Sequence, residues 1–341
     1  MTAGSASQDR TAYLVLGMHR SGTSAVTQLL ALAGADLPTD VIPGDENNAR
    51  GYFEPWRIAV FNDERLRAAG SAWDDVFSFP YRALEAPAEQ TWINRAAALF
   101  ATEYGVLARP LLKDPRVTVL MPLWRAAFDA MGMGVRCVIP VRHPLAVAGS
   151  LERRNGFPTE KSVLLWAAYM LAAEAYSRDL PRAFVGYDAL LADWRGEIAR
   201  LEAAHAAPLP ALTEAAAAEI DAFLTPELRH NAGDGDLAAL GWAGVLAQQV
   251  FDALAGAAID RLALDAARGE LERRRAEFGF LVSPAARDLD QARADLLASS
   301  EAFEQGRRDA GDLSALRRQT IAVDAQLDQI LADTERWLKS S

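Results

Sequence analysis

The stretch Tyr13-Leu14-Val15-Leu16-Gly17-Met18-His19-Arg20-Ser21-Gly22-Thr23-Ser24-Ala25-Val26 leaves the chain few folds to choose from. An apolar run suited to a buried strand breaks at two glycines and resumes with helical spacing. Strand, tight loop and helix start, in that order, point to a layered α/β arrangement. They also aim loop N–H groups and the positive end of a helix dipole at one point, which suits an anion such as a phosphate. A Walker A loop takes Gly, four residues, then Gly-Lys-Ser/Thr. Here Gly17 and Gly22 stand at that spacing, but Thr23 occupies the lysine position and the cation comes earlier, at Arg20. The loop therefore predicts a relative of the P-loop fold that grips a phosphate other than the β/γ pair of a nucleoside triphosphate.

Beyond the loop, Val26, Leu29, Leu30 and Ala33 keep one helix face apolar, and Gly34 is placed to end that helix. Residues 36–50 are a long polar segment with strong turn chemistry, and loops of that length tend to be functional. It leads into Gly51-Tyr52-Phe53-Glu54-Pro55-Trp56, where one carboxylate stands among aromatics. Such an acid loses hydration and gains the basicity that general-base work requires; the competing reading is that Glu54 caps a helix starting at Pro55. Residues 57–106 read as mainly helical and chemically plain. Leu111-Leu112-Lys113-Asp114-Pro115-Arg116 is a short strand ending in an ion-rich turn, and in a parallel sheet ligands sit beyond such strand ends. Val135 to Val141 is the next buried strand, followed by Arg142-His143-Pro144 and a helix on which Ser150 and Arg154, four apart, share a face. Residues 162–175 read as a core helix, Arg182 to Tyr187 as a further strand, and Asp188 as the N-cap of the helix after it. Strands near 13–17, 110–113, 136–141 and 183–187, separated by helices, predict a P-loop-like, doubly wound parallel sheet.

Composition bounds the rest. A net charge of −11 over 341 residues disfavours nucleic acid as a partner, so an anionic ligand must meet locally clustered cations. No membrane span is expected, nor is a secretory leader in Met1 to Arg10; the single Cys137 excludes an internal disulfide, and these readings favour a cytoplasmic setting. The expected divisions are a disordered tail at 1–10, an α/β core at 11–206, a helical continuation at 207–282 with a break at 231–236, and an all-helical extension at 283–341. In that extension positions 316, 320, 323, 327, 330, 334 and 337 form an a/d stripe. The stripe fits either a coiled coil, with a homodimer as its consequence, or a helix packed back on its own domain.

Over residues 13–200 the chain resembles the sulfotransferases that use 3′-phosphoadenosine-5′-phosphosulfate (PAPS), particularly bacterial members whose loop reads Gly-Met-His-Arg-Ser-Gly-Thr-Ser. The resemblance implies that Arg20, Ser21, Gly22, Thr23 and Ser24, with His19 beside them, hold the 5′-phosphosulfate. It implies that Arg142 and Ser150, at the family's Arg-x-Pro to serine spacing, hold the 3′-phosphate with Arg154, and that Tyr187 lies near the adenine. Ala146 stands where an acidic residue is often found. Glu54 then matches the catalytic base of the carbohydrate and tyrosylprotein enzymes, and Lys113 the lysine of their Lys-Asp-Pro turn. Glu54, Lys113 and Arg20 are thus the expected catalytic groups, with 3′-phosphoadenosine 5′-phosphate (PAP) as product and no metal required. His19 and His143 are expected to pack or hydrogen-bond, and His205 and His230 to lie at the surface. The acceptor expected is a hydroxylated sugar, lipid or metabolite. Two further readings stay open: a P-loop kinase or NTPase, and a non-catalytic module assembling through its C-terminal helix.

Overall fold

The computed structural model describes residues 10–44, 51–78, 81–225, 233, 235–256 and 258–285, with short pieces between 287 and 305. Met1–Arg287 forms one compact unit and Asp288–Ser341 another. The a/d stripe at 316–337, His230 and the tail at 1–9 lie outside the described residues.

Strand β1 (Thr11–Val15) enters the loop, and helix α1 (Thr23–Leu32) leaves it. Helices α2 (Trp56–Ala68) and α3 (Ala86–Tyr104) precede strand β2 (Leu111–Lys113), short α4 (Pro115–Val119) and α5 (Met121–Ala130). Then follow β3 (Gly134–Val141), α6 (Pro144–Asn155), α7 (Thr159–Tyr176), β4 (Arg182–Gly186), α8 (Tyr187–Ala192) and α9 (Trp194–His205). Helices α10 (Glu214–Phe223), α11 (Gly241–Ala255) and α12 (261–285) complete the first unit.

All four strands pair in parallel in the order β2-β1-β3-β4. From central β1 the chain goes to one side for β2, then crosses to the other for β3 and β4. The switch point therefore falls between the carboxyl ends of β1 and β3, where a ligand crevice opens in sheets of this kind. Side chains alternate across the sheet. Leu14, Leu112, Cys137 and Ile139 belong to one core with α3, α5, α7 and α11. Tyr13, Val15, Leu111, Val138 and Val185 belong to the other with α1, α9 and α10. Helices thus cover both faces, as the doubly wound expectation requires, and the expected helical continuation after 207 shows no strand among its described residues.

Local signals fix several boundaries. Gly34 (φ 98°) follows the α1 C-cap, its N–H donating to Ala31 O at 3.0 Å while Ala35 N–H donates to Leu30 O at 2.9 Å, a Schellman ending that closes the helix as anticipated. Asp188 does not cap α8: the helix starts one residue earlier, at Tyr187 with Gly186 as N-cap, and Asp188 sits in its first turn beside the positive helix end. Although no membrane span is expected, one described segment is long and apolar enough to cross a membrane by length and composition alone. Leu237–Ala255 is 19 residues long with mean hydropathy 1.3. Its Ala243, Leu246, Ala247, Val250 and Leu254 are buried in the core beside α7, and 44% of the apolar window is buried in all.

Candidate phosphate-binding and transfer site

The loop between β1 and α1 is held by backbone geometry first. Gly17 has φ 135° and Gly22 φ 93°, and Arg20 takes φ 68° without being glycine. Left-handed non-glycine residues cost about 1–3 kcal/mol and cluster at functional sites. The Gly17 N–H donates to Thr118 Oγ1 at 2.8 Å, and the same hydroxyl donates back to the Gly17 carbonyl at 3.3 Å, tying the loop to α4. At the start of α1 no side chain caps the helix and no acid stands in the first turn, so no protein carboxylate answers the positive helix end. Thr23 begins the helix, buried, with half-buried Ser24 next to it.

Two sequence-distant motifs meet at this loop. Arg20 Nε donates to Ser150 Oγ at 2.8 Å, 130 residues away. Arg142, just past the end of β3, donates from Nη1 to the Arg20 carbonyl at 3.1 Å. The structure thus brings Arg20 of the loop against Arg142 and Ser150, which the sequence assigned to a separate anion grip, at the β1/β3 switch point. The Arg142 guanidinium also lies over the Tyr187 ring, 4.5 Å from its centroid. Tyr187 in turn covers Gly22 so closely that a Cβ there would stand 2.3 Å from the ring. Gly22→Ala is accordingly expected to lower stability by about 2–4 kcal/mol, from the left-handed strain and the clash together. Urea denaturation checks it, and adding Tyr187→Ala should return the steric share but not the strain.

The second half of the site is the Glu54–Lys113 pair. Glu54 does not cap α2: Pro55 is the N-cap and no side chain bonds the helix start. Instead the buried Lys113 Nζ donates to Glu54 Oε1 at 2.6 Å and to the Tyr52 carbonyl at 2.9 Å. Arg116 Nη1 stands 3.7 Å from Glu54 Oε2. The surroundings of Glu54 are therefore cationic, where the sequence suggested aromatic ones. Burial opposes the Arg116 charge, but Asp114, Asp63 and Glu54 hold its guanidinium well above its ordinary value. Asp114 itself caps α4 by accepting from Arg116 N–H at 3.0 Å.

Arg154 joins the two halves. Its charge is felt by Arg20 on one side and by Tyr52 and Glu54 on the other. Burial, reinforced by Arg20, pushes Arg154 below its ordinary value, and burial does the same to Arg142. Cations that depress one another in a desolvated place are relieved by an anion. Three buried polar atoms here, His19 Nε2, Ser21 Oγ and Arg142 Nη2, have no hydrogen-bond partner within the protein. Such atoms are expensive to leave unmet, and a ligand rich in acceptors would satisfy the Arg142 and Ser21 donors.

His19 packs edge-on to Trp73, with ring centroids 4.8 Å apart. Burial, then Arg154, Arg116, Lys113 and Arg20, push its imidazole well below its ordinary value of 6.5. Below that value the unfolded chain takes up a proton that the folded chain refuses. Stability is therefore expected to fall as pH drops through 6.5, by up to about 1.4 kcal/mol per pH unit from this one group. Urea midpoints at about pH 7.5 and about pH 5.5 check it, and His19→Gln should flatten the difference.

The remaining histidines separate. His143 caps α6, accepting from Leu145 N–H at 3.3 Å, and sets its ring against Phe251. His205 is buried, contrary to the surface expectation, with Nε2 3.0 Å from the Cys137 carbonyl. The end of α9 brings it under the sheet. Thr118 and Trp73 are site residues that the sequence did not single out, since nothing local marks a threonine or tryptophan as a neighbour of a loop 54 or more residues away. Among the described residues no group of three or more His, Cys, Asp or Glu is arranged to hold a metal ion.

No protein-family model matches the sequence, and no curated protein does. Among solved structures the chain is similar to the sulfotransferase domain from the Synechococcus PCC 7002 olefin synthase, at 15% identity and a TM-score of 0.41, over 76% of this chain and 94% of that one. It is also similar to the sulfotransferase domain from the curacin biosynthetic pathway, at 14% identity and a TM-score of 0.37, over 78% of this chain and 95% of that one. Likenesses this loose leave the functional reading to the site itself.

Proposed function

We propose that the chain is a sulfotransferase that moves a sulfuryl group from PAPS to an acceptor hydroxyl of a sugar, lipid or metabolite. The observation that supports this most is the link Arg142–Arg20–Ser150, which fuses the phosphate loop to a second cationic motif at the switch point. A nucleoside triphosphate needs one phosphate grip, whereas a nucleotide with phosphates on both the 3′ and 5′ positions needs two. The uncapped α1 start and the unmet donors of Ser21 and Arg142 fit such a ligand.

In this reading Arg20, Ser21, Gly22, Thr23 and Ser24 receive the 5′ end, with His19 behind them. Arg142, Ser150 and Arg154 receive the 3′-phosphate, and Tyr187 orders Arg142 from beneath. PAPS supplies an activated sulfuryl group; the acceptor oxygen bonds to sulfur as the bond from sulfur to the phosphate oxygen breaks, and PAP departs with that electron pair. Glu54 takes the acceptor's hydroxyl proton. Lys113 has two of its three donors engaged by Glu54 and Tyr52, so one remains for the oxygen on which charge builds. No metal is assigned a role.

Thermal shift tests the proposal. PAP at 100 times its dissociation constant is expected to add about 2.7 kcal/mol to stability, and ATP with magnesium little. No response to PAP together with a clear one to ATP-magnesium would replace this reading with the kinase or NTPase alternative.

A further inference from the structure

The turn that carries Glu54 is strained one residue before it. Phe53 takes φ 59°, a left-handed backbone that bulky residues seldom adopt. Gly51, two residues earlier, has φ 94°. The half-buried Phe53 ring folds back toward Gly51, where a Cβ would lie 3.9 Å from the ring tip.

The chain is fixed on both sides of Phe53. After it, the Glu54 carbonyl accepts from Ile42 N–H at 2.8 Å and Trp56 N–H donates to the Asp40 carbonyl at 3.3 Å. Val41 and Pro55 pair between these two bonds, so residues 54–56 are tied to 40–42. Before it, the Tyr52 carbonyl accepts from Lys113 Nζ at 2.9 Å, and the same buried ammonium donates to Glu54 Oε1 at 2.6 Å. One cation at the end of β2 thus grips the two residues that flank Phe53. An extended chain advances about 6–7 Å over two residues and would carry the Tyr52 carbonyl away from the Glu54 carboxylate. The left-handed turn at Phe53 folds them onto one point.

We propose that Phe53 is a positioning residue for Glu54: its left-handed backbone sets the carboxylate so that Oε1 is spent on Lys113 and Oε2 is presented to the acceptor hydroxyl. Oε2 stands 3.7 Å from Arg116 Nη1, beyond hydrogen-bond length. Sparsely populated conformations persist only where the surroundings over-determine them, and they cluster where geometry serves chemistry. Here Lys113 and the pairing with 40–42 supply that constraint. A carboxylate held in place beforehand needs no reordering when the proton moves. Phe53 acts through Glu54 and is assigned no contact with donor or acceptor. The chemical role rests on the sulfotransferase reading, whereas the Phe53 turn and the Lys113–Glu54 pair do not.

The experiment compares Phe53→Asn and Phe53→Gly, residues that take positive φ readily, with Phe53→Val, whose branched side chain resists it. All three lose the ring, so a difference between them reports the backbone. Phe53→Val is expected to lower the single-turnover rate with PAPS and acceptor about 10²-fold, with the PAP dissociation constant unchanged. The Asn and Gly variants should keep most of the rate. Phe53→Ala, which resists positive φ less than Val, should fall between them and stands in if the Val variant does not fold. A second measurement needs no sulfuryl transfer. Urea denaturation of Lys113→Met, Glu54→Leu and their double variant gives the coupling within the pair, which should survive in the Asn and Gly backgrounds and fall by more than half in the Val or Ala background. An unmodified chain without PAPS-dependent turnover would remove the sulfotransferase reading, and the coupling would still decide whether Phe53 sets the pair. Equal rates in all the Phe53 variants, an equal loss in all of them, or undiminished coupling in the Val or Ala background would each overturn the inference.

Discussion

Glu54→Gln is expected to lower turnover about 10²–10³-fold with PAPS and a competent acceptor, while the affinity for PAP changes little. The substitution keeps the side chain's shape and an oxygen for Lys113 Nζ, which lies 2.6 Å from Glu54 Oε1. It removes the carboxylate proposed to take the acceptor's proton. Glu54 contributes no atom to the Arg20–Ser150 and Arg142–Arg20 contacts that stand at the proposed nucleotide grip, so PAP titration should report a nearly normal dissociation constant. Single-turnover rates measured beside that titration decide the matter: near-normal turnover would remove Glu54 from the role of base, and a matching loss of PAP affinity would recast it as a binding residue.

Lys113→Met is expected to cost about 3 kcal/mol of stability and most of the activity. Lys113 and Glu54 are both buried, and removing one member of such a pair leaves the other charge uncompensated, a change that typically costs about 3–5 kcal/mol. Arg116, 3.7 Å from Glu54 Oε2, supplies a remaining cation and places the effect toward the lower end of that range. Lys113→Met combined with Glu54→Leu replaces both charges with apolar groups and should recover much of the lost stability. Activity should not return with it. Urea denaturation of the two single variants and the double variant gives the coupling directly. Additive losses would show that the pair is not coupled.

How far each part was legible depended on the range of the forces involved. The strand, loop and helix around Gly17 and Gly22 were legible because glycine spacing, apolar periodicity and helix ends act over a few residues; Gly34 closes α1 for the same reason. The four strands were placed to within about two residues, since buried parallel strands read as continuous apolar runs. Residues 57–106 looked chemically plain, yet they hold Trp73 against His19 and Arg65 with its unmet donors. One signal there was available. Ile58, Phe61, Asn62, Arg65 and Leu66 recur at helical spacing on the buried face of α2, and a charged residue on such a stripe marks a buried polar site. Asn62 does hold one, donating to Asp114 Oδ2 and accepting from Trp124 Nε1, each at 2.9 Å.

The amino-acid order by itself determined the loop, the order of elements and which residue types could meet an anion, because those follow from local stereochemistry and side-chain chemistry. Which of them meet was decided only by the fold. Arg20 reaches Ser150 across 130 residues and Lys113 reaches Glu54 across 59, because parallel pairing of β1 with β2 and β3 brings their carboxyl ends to one edge. The same packing turned His205 inward to the Cys137 carbonyl and gave Glu54 a lysine partner in place of aromatic walls. Burial is a property of assembled layers, and the desolvation and charge pairing that follow from it arise only when those layers close.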